Sequence, residues 1–555
     1  MGSAPLSQLA KLGLYWHTLK YLKPIQFHGR LWFRLRRPRL DRSPAPSLRP
    51  VSGVWQAPAH RAATMSGARE FSFLNEAGTL TRKDWEETTR SKLWLYNLHY
   101  FDDLNAVDAP ARDAWHIALM DDWMQHHPVG GTGWEPYPCS LRIVNWIKRH
   151  LDGRPLGSDQ CDSLAAQARW LSQRLEWHLL GNHLFVNAKA LIFAGICFDG
   201  PESERWLAKG LAIVANELHE QVLPDGGNFE RSPMYHAIFL EDLLDLLNIA
   251  SSFPGRVRTK VEKDWRGTAS RMAAWLRATC HPDGEISLFN DAAIGVAPPP
   301  QQLLDYAARL GIDTPALAWP RPAKPVLTAL PDSGYLRVDL PDAVALLDVA
   351  PVGPDYLPGH AHADTLSFEL SVFGDRVVVN GGTSRYGLGQ ERLRERGTAA
   401  HSTVIVDGQD SSEVWGGFRV ARRARPVGLR VDTGVNEVVV SCAHDGYKRL
   451  PGQPEHHREW RWRTAGLTVS DRVTGPFSLA QARYHFHPTV QVRPEGDQTL
   501  RLMLPHGGQL RLRVTQGVLR LETSSYASAF GQVVATACAV VDLRDAQARV
   551  DFDWT

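Results

Sequence analysis

His360, His362 and Asp364 occupy alternate positions in Gly359-His360-Ala361-His362-Ala363-Asp364. On an extended strand that spacing turns all three side chains to one face. Two imidazoles and a carboxylate converging so closely suit metal ligation or proton transfer. The plain alternative is the polar outer face of a strand. Three other stretches concentrate reactive side chains. In Gly181-Asn182-His183, Asn182 is either a helix N-cap or, with His183, a ligand for a substrate carboxylate. The second stretch begins with an Asp225-Gly226-Gly227 turn and runs through Glu230-Arg231-Ser232-Pro233-Met234-Tyr235-His236. Ser232-Pro233 predicts a helix start, which puts Tyr235 and His236 in the first turn. There the helix dipole favours a phenolate and disfavours a protonated histidine. A phenol of ordinary pKa about 10 needs such help to exchange protons near neutrality. Otherwise the hydroxyl merely caps a loop. The third stretch, Arg392-Leu393-Arg394-Glu395-Arg396, leads into His401-Ser402-Thr403. Its arginines suit an acidic ligand or a solvated loop.

The elements that position these residues change character along the chain. From about 85 to 320, apolar residues recur at three and four, as in Ala111–Trp123, Ser140–Arg149, Asp162–Leu180, Leu184–Ile196, Glu202–Gln221 and Tyr235–Ser251. Helices joined by short loops without a strict repeat predict helical hairpins in a bundle or toroid. Beyond about 330 the period becomes two, in Val344–Val349, Leu366–Phe373, Arg376–Val379, Thr403–Val406, Glu437–Ser441 and Leu467–Ser470. That predicts an antiparallel sandwich. A two-residue hairpin at Gly374-Asp375 would pair Asn380 with Glu369 and face Asn380 away from His362. A site shared by the two needs a bulge or loop.

Residues 1–85 read as an N-terminal arm and linker, 86–325 as the helical domain and 326–555 as the sandwich. Aromatic and basic residues alternate in Trp16–Pro24 and Arg30–Pro38, as on short amphipathic helices. Such an arm could touch a membrane surface or an acidic polymer, or pack on the main domain. Arg42-Ser43-Pro44-Ala45-Pro46-Ser47 reads as a linker.

Hydrophobic content of 43% with 22% charged residues describes a soluble globular protein. A net charge of +2 gives no global case for nucleic acid. The nineteen tryptophans suit sugar platforms or a core equally well. The six scattered cysteines exclude a zinc ribbon or a disulfide framework. With no signal peptide and no membrane-spanning run, the chain as written reads as cytoplasmic.

Taken together, these stretches and Trp94-Leu95-Tyr96-Asn97-Leu98-His99-Tyr100-Phe101 resemble the bacterial heparinase II/III-like polysaccharide lyases, related to heparin and alginate lyases. The match runs from about 90 to 450, in the family's order. The resemblance implies an incomplete (α/α) toroid followed by an antiparallel β-sandwich. It implies that Tyr235 and His360 are catalytic and that Asn182 or His183 neutralises a uronate carboxylate. Arg231, Arg396, Glu230 and His236 would contact substrate in the cleft between domains. It also implies a structural zinc on His362, position 380 and His401. Position 380 is Asn where the pattern usually has Asp, and a neutral amide is the poorer zinc ligand. Family members are often periplasmic.

The implied reaction is β-elimination on an acidic, uronate-containing polysaccharide such as heparan-like, alginate-like or exopolysaccharide chains, with no metal required. Two rivals stand beside it. One is a non-cleaving glycan-binding accessory protein of exopolysaccharide biosynthesis. The other is a glycoside hydrolase using carboxylates such as Asp225 and Glu230.

Overall fold

The computed structural model describes residues 8–81, 85–127 and 129–554. The first seven residues of the expected arm therefore lie outside the described residues. Helices dominate the first part of the chain: α1 Gln8–Leu19, α2 Pro24–Leu35, α3 Lys92–Tyr100, α4 Asp113–His126, α5 Pro136–Leu151, α6 Ser158–Ser172, α7 Gly181–Cys197, α8 Pro201–Gln221, α9 Pro233–Ser252, α10 Thr259–Ala278 and α11 Pro300–Arg309. A short α12, Gln390–Arg396, sits inside the strand-rich part.

Helix α7 is apolar almost all round and is buried accordingly, packed against α5, α6, α8 and α9. Glycine lets α8 lie against it, since a Cβ on Gly210 would meet Ala188 O at 2.8 Å. The helix expected over Asp162–Leu180 stops at Ser172. Residues 173–180 form a connection whose Glu176 N–H donates to Asn187 Oδ1 (2.9 Å), a bond from outside the helix ladder.

From Val326 onward the described strands form two large antiparallel sheets, one of eight strands and one of nine, and a two-stranded ribbon of Val414–Trp415 and Arg419–Val420. Strand Glu455–Arg463 shows the rule, with His456, Arg458, Trp460 and Trp462 inward and the alternate residues less buried. The sandwich core includes Phe368, Trp460, Trp462, Tyr484 and Phe552. The two halves are bolted together by polar bonds. Arg337 donates to Ala278 O and Cys280 O, Trp275 Nε1 to Ser333 Oγ (2.8 Å), and Arg376 to Asp283.

The linker and the chain after it lie along the toroid, with Arg169 donating to Ser43 O and Pro44 O, Arg49 to Ile196 O and Phe198 O, and Asn248 bracketing Gln56. Two expectations are corrected. Strands Met65–Gly67, Glu70–Phe73 and Glu76–Thr79 form a small sheet inside the expected arm. The His360–Asp364 stretch is not a strand, because the ladder begins only at Phe368. The stretch is a loop threaded between halves, with Asp291 N donating to His360 O, His362 N to Asn290 Oδ1 and Arg396 to Ala361 O. Its three ionisable side chains consequently point to different surroundings.

Candidate active site

Ser232 caps α9, its hydroxyl accepting from Tyr235 N (3.2 Å), and Pro233 opens the helix. Tyr235 is thereby fixed in the first turn, as the Ser-Pro signal predicts. The His360 loop arrives from the sandwich side and lays its imidazole on the Tyr235 ring, with centroids 3.9 Å apart and planes 17° apart. His360 Nδ1 pairs with the Glu230 carboxylate. Tyr386 completes the group, its hydroxyl 2.9 Å from that of Tyr235. Residues 125 positions apart in sequence thus share one site.

Tyr235, His360 and Tyr386 line a cavity of about 960 Å³ at the junction of the two halves, with Glu230 buried behind His360. Asn182 and His183 line it as well. The N-cap of α7 is Leu180, so Asn182 sits inside the helix and its carboxamide is not a cap, contrary to one reading of the sequence. Gly181 has φ +55°, and a Cβ there would meet Leu357 Cδ2 at 2.5 Å. That close approach brings the start of α7 under the loop that carries His360. His183 lies 3.2 Å from Glu176 Oε1 and packs on Tyr137. Burial works against its charged form, but Glu176 outweighs that and raises its pKa above the ordinary value.

Tyr235 departs from expectation in its electrostatics. Burial, reinforced by Tyr386, Asp291 and Glu230, raises its pKa well above 10. Desolvation and nearby acids thus outweigh the helix-terminus effect. In the free protein Tyr235 is a phenol able to give a proton, and the His360 ring lies against it.

The expected substrate contacts divide. Glu230 is engaged by His360. His236 is walled in, Nε2 against Met272 O and Nδ1 accepting from Asn228 N, with its pKa lowered to about 4 by burial. Arg396 is buried and donates to Ala361 O, holding the His360 loop from behind. Arg231 donates to Ser333 O and Phe229 O at the domain junction. None of those three arginine and histidine side chains lines the tyrosine cavity. The cavity-lining cations without a carboxylate partner among the described residues are instead Arg30, Arg385 and Arg419.

The expected zinc ligands do come together. His362 Nδ1 and His401 Nε2 lie 3.2 Å apart, His362 Nε2 is 2.8 Å from Asp291 Oδ1, and His401 Nδ1 is 3.2 Å from Asn380 Oδ1. A bulge at Leu370/Ser371 in the hairpin makes this possible. Burial lowers His362 to about 4 and His401 to about 3, so both rings are neutral. Asn380, however, faces the outer nitrogen of His401 rather than the gap between the rings. Two imidazoles without a third inward ligand do not make a zinc site of three or four protein ligands. Asn380 Oδ1 also accepts from Ser402 N (3.3 Å), which keeps the amide oxygen toward His401 and leaves the buried Nδ2 without a partner among the described residues. Among the described residues, a His/Cys/Asp/Glu trio close enough to share an ion is Glu86, His99 and His127. There both His99 nitrogens are already engaged, by Trp123 and Trp85 O.

Comparison with known proteins sets this geometry in context. A profile described as Heparinase II/III N-terminus matches residues 113–303, and one described as Heparinase II/III-like, C-terminal matches 322–555. The chain belongs to the heparinase II/III-like family. It is 26% identical over 377 residues to a heparin-sulfate lyase of Pedobacter heparinus, covering 61% of this chain and 53% of that protein. The chain thus spans about half the length of this curated relative. A solved heparinase III superposes with a TM-score of 0.68 at 16% identity, covering 86% of this chain and 79% of the other. A chondroitin AC lyase of Streptomyces coelicolor A3 gives 0.52 at 11% identity over 100% and 80%. Both share the fold of this heparinase II/III-like chain, a helical toroid followed by β-sheets.

Within that fold the sequence reading missed Tyr386. Its one signal is a lone aromatic in Ser384-Arg385-Tyr386-Gly387-Leu388-Gly389, a glycine-punctuated loop just after Asn380-Gly381-Gly382.

Proposed function

We propose that this protein is a polysaccharide lyase that breaks uronate-containing acidic polysaccharides by β-elimination. The observation that carries the reading is the Tyr235–His360 stack, backed by Glu230 and Tyr386, in a cavity that also presents Asn182 and His183. The C5 proton of a uronate is weakly acidic until its carboxylate charge is neutralised and stabilised. Asn182 can donate to that carboxylate, and His183, whose proton Glu176 favours, supplies positive charge beside it. His360 takes the C5 proton, with Glu230 orienting the ring and stabilising the imidazolium. Tyr235 delivers its proton to the departing O4, and the Tyr386 hydroxyl hydrogen-bonds the phenolate that remains. Arg30, Arg385 and Arg419 give an anionic chain its approach. No step requires a metal, and any zinc at His362–His401 would be weakly held.

The hydrolase reading loses support from Asp225. Its carboxylate accepts from Ser333 N, Ser333 Oγ and Gly227 N at the domain junction, away from Glu230's partner. Absorbance of the unsaturated uronate, followed over heparan-like, alginate-like and bacterial acidic polysaccharides, tests the proposal. Elimination creates the C4–C5 double bond, hydrolysis gives reducing ends without it, and a binding protein gives neither. Product without the absorbance would overturn it.

A further inference from the structure

We infer that α1 and α2 form a docking face for an anionic lipid surface. The first observation is charge. Residues 1–40 contain Lys11, Lys20, Lys23, Arg30, Arg34, Arg36, Arg37 and Arg39 and no Asp or Glu. That is +8 in a chain whose net charge is +2, so the remaining 515 residues carry −6. The basic charge is therefore a local property of this element.

The second observation is apolar exposure on the same two helices. On α1, Leu12 is 64% exposed and Trp16 67%; on α2, Leu31 is 62% and Leu35 71%. At 100° per residue, Leu12 and Trp16 share one face of α1, bordered by Tyr15 and Leu19 at the cavity mouth, and Phe27, Leu31, Trp32 and Leu35 share one face of α2. Isolated exposed leucines are ordinary, whereas two adjoining stripes of large apolar residues rimmed by lysine and arginine mark an interaction surface.

The exposure does not arise because the helices lack a seat. Their inner faces are anchored to both halves of the molecule. Phe33 packs on His178 at 4.5 Å and beneath Arg174, Gln26 donates to Tyr356 O, and Trp415 Nε1 donates to Thr18 Oγ1 at 3.1 Å. The apolar stripes are what remains outward once that docking is complete.

Chemistry selects the occupant. Trp16 and Trp32 could each stack on a sugar, but aliphatic Leu12, Leu31 and Leu35 offer one neither a hydrogen bond nor a platform, so an acidic polysaccharide would satisfy the charge and the aromatic rings and leave the leucines wet. A second copy packed about a two-fold axis would bring two strongly basic faces together. A bilayer interface satisfies both parts, taking leucine and tryptophan below the headgroups and the cations against anionic phosphates. Each helix has only 12 residues, and no described helix is long and apolar enough to cross a membrane, so the mode is lying on the surface. Because α1 and α2 also contribute Thr18, Gln26 and Arg30 to the cavity wall, docking would hold the cavity close to the lipid surface.

Co-sedimentation of the full chain with vesicles decides the matter. Vesicles of equal parts phosphatidylcholine and phosphatidylglycerol should bind it at low salt, while pure phosphatidylcholine should bind it weakly. The variant Leu12→Ser/Trp16→Ser/Leu31→Ser/Leu35→Ser touches no cavity-lining residue and should lower the partition coefficient at least ~10-fold, with lyase turnover on soluble polymer unchanged. If that variant proves unstable, Arg34→Gln/Arg37→Gln/Arg39→Gln should abolish the preference for the anionic vesicles. Absence of binding to the mixed vesicles would overturn the inference. So would equal binding by the variants, or capture of a soluble acidic polysaccharide through these same side chains in place of lipid.

Discussion

His360 and His362 are two residues apart on one loop, yet they live in opposite kinds of surroundings. His360 faces a cavity, stacked on Tyr235 and backed by Glu230, with part of its ring open to an incoming molecule. His362 is fully enclosed, its nitrogens set against His401 and Asp291, and Asp291 is itself gripped by Arg392. Against the desolvation of complete burial, Arg392 and His362 hold Asp291 far below the usual carboxylate range. The contrast shows how a motif divides its labour. Polar atoms committed inward build the frame, and polar atoms that face a cavity stay within reach of an incoming molecule.

That division can be broken most severely at Tyr235. Tyr235→Phe keeps the ring on His360 and deletes only the proton carrier. Turnover should fall ~10²–10⁴-fold with polymer binding retained, as read by absorbance kinetics beside a binding measurement. A variant cleaving at the parent rate would move the chemistry away from this side of the loop.

The enclosed side should answer in stability instead. Asp291→Asn leaves the Arg392 guanidinium buried without its counter-charge. Breaking such a pair from one side costs about 3–5 kcal/mol, visible as a lower urea midpoint. Chelator should leave both midpoint and turnover unchanged. A large chelator-induced loss of stability would show that His362 and His401 hold an ion after all.

How much of this was legible in sequence follows from which interactions are local. The switch in apolar period near residue 320 and the Ser232-Pro233 helix start both depend on near neighbours, and both appear in the structure where the pattern puts them. The alternation in His360–Asp364 is equally local, but it predicts a strand only if a partner strand accepts it. Here Asn290 and Arg396 take the backbone bonds instead. The arginines were the least legible. Arg231 and Arg396 sit in the conspicuous motifs, yet the domain junction consumes their guanidinium groups, while Arg385 reaches the cavity from a loop and Arg419 from a two-residue strand, both near glycines and of no marked pattern. Asn182 misled for a related reason. Its type fits a cap, but a chain turn at Leu180, with φ 61°, starts the helix two residues earlier.

A milder change sharpens the comparison at its border. Glu230→Gln preserves volume and an acceptor for His360 while removing the charge that stabilises an imidazolium. Turnover should fall ~10–10²-fold with KM nearly unchanged and thermal stability within error of the parent. If Km rises instead with turnover intact, Glu230 belongs to substrate binding.

The smallest effect separates the enclosed histidines from the open one by pH. Burial lowers His236 to about 4 and His485 to about 3. At pH 7 both are neutral whether the chain is folded or not, so they cost nothing there. Below the ordinary value of 6.5 the unfolded chain takes up protons that the folded chain refuses, and stability must fall with pH. At pH 5.5 each such histidine contributes a loss of about 1.4 kcal/mol. The loss levels off only as pH approaches the folded value. The carboxylates held low, such as Asp471 at about 2, add their own loss only below the usual carboxylate range. Urea unfolding at pH 7 and 5.5 reads the difference, and His236→Gln should reduce the slope by one proton's worth even though it lowers stability at both values. A flat profile would mean that these rings are hydrated and protonated in the fold, and that the walls around the enclosed side of the loop are more open than the packing requires.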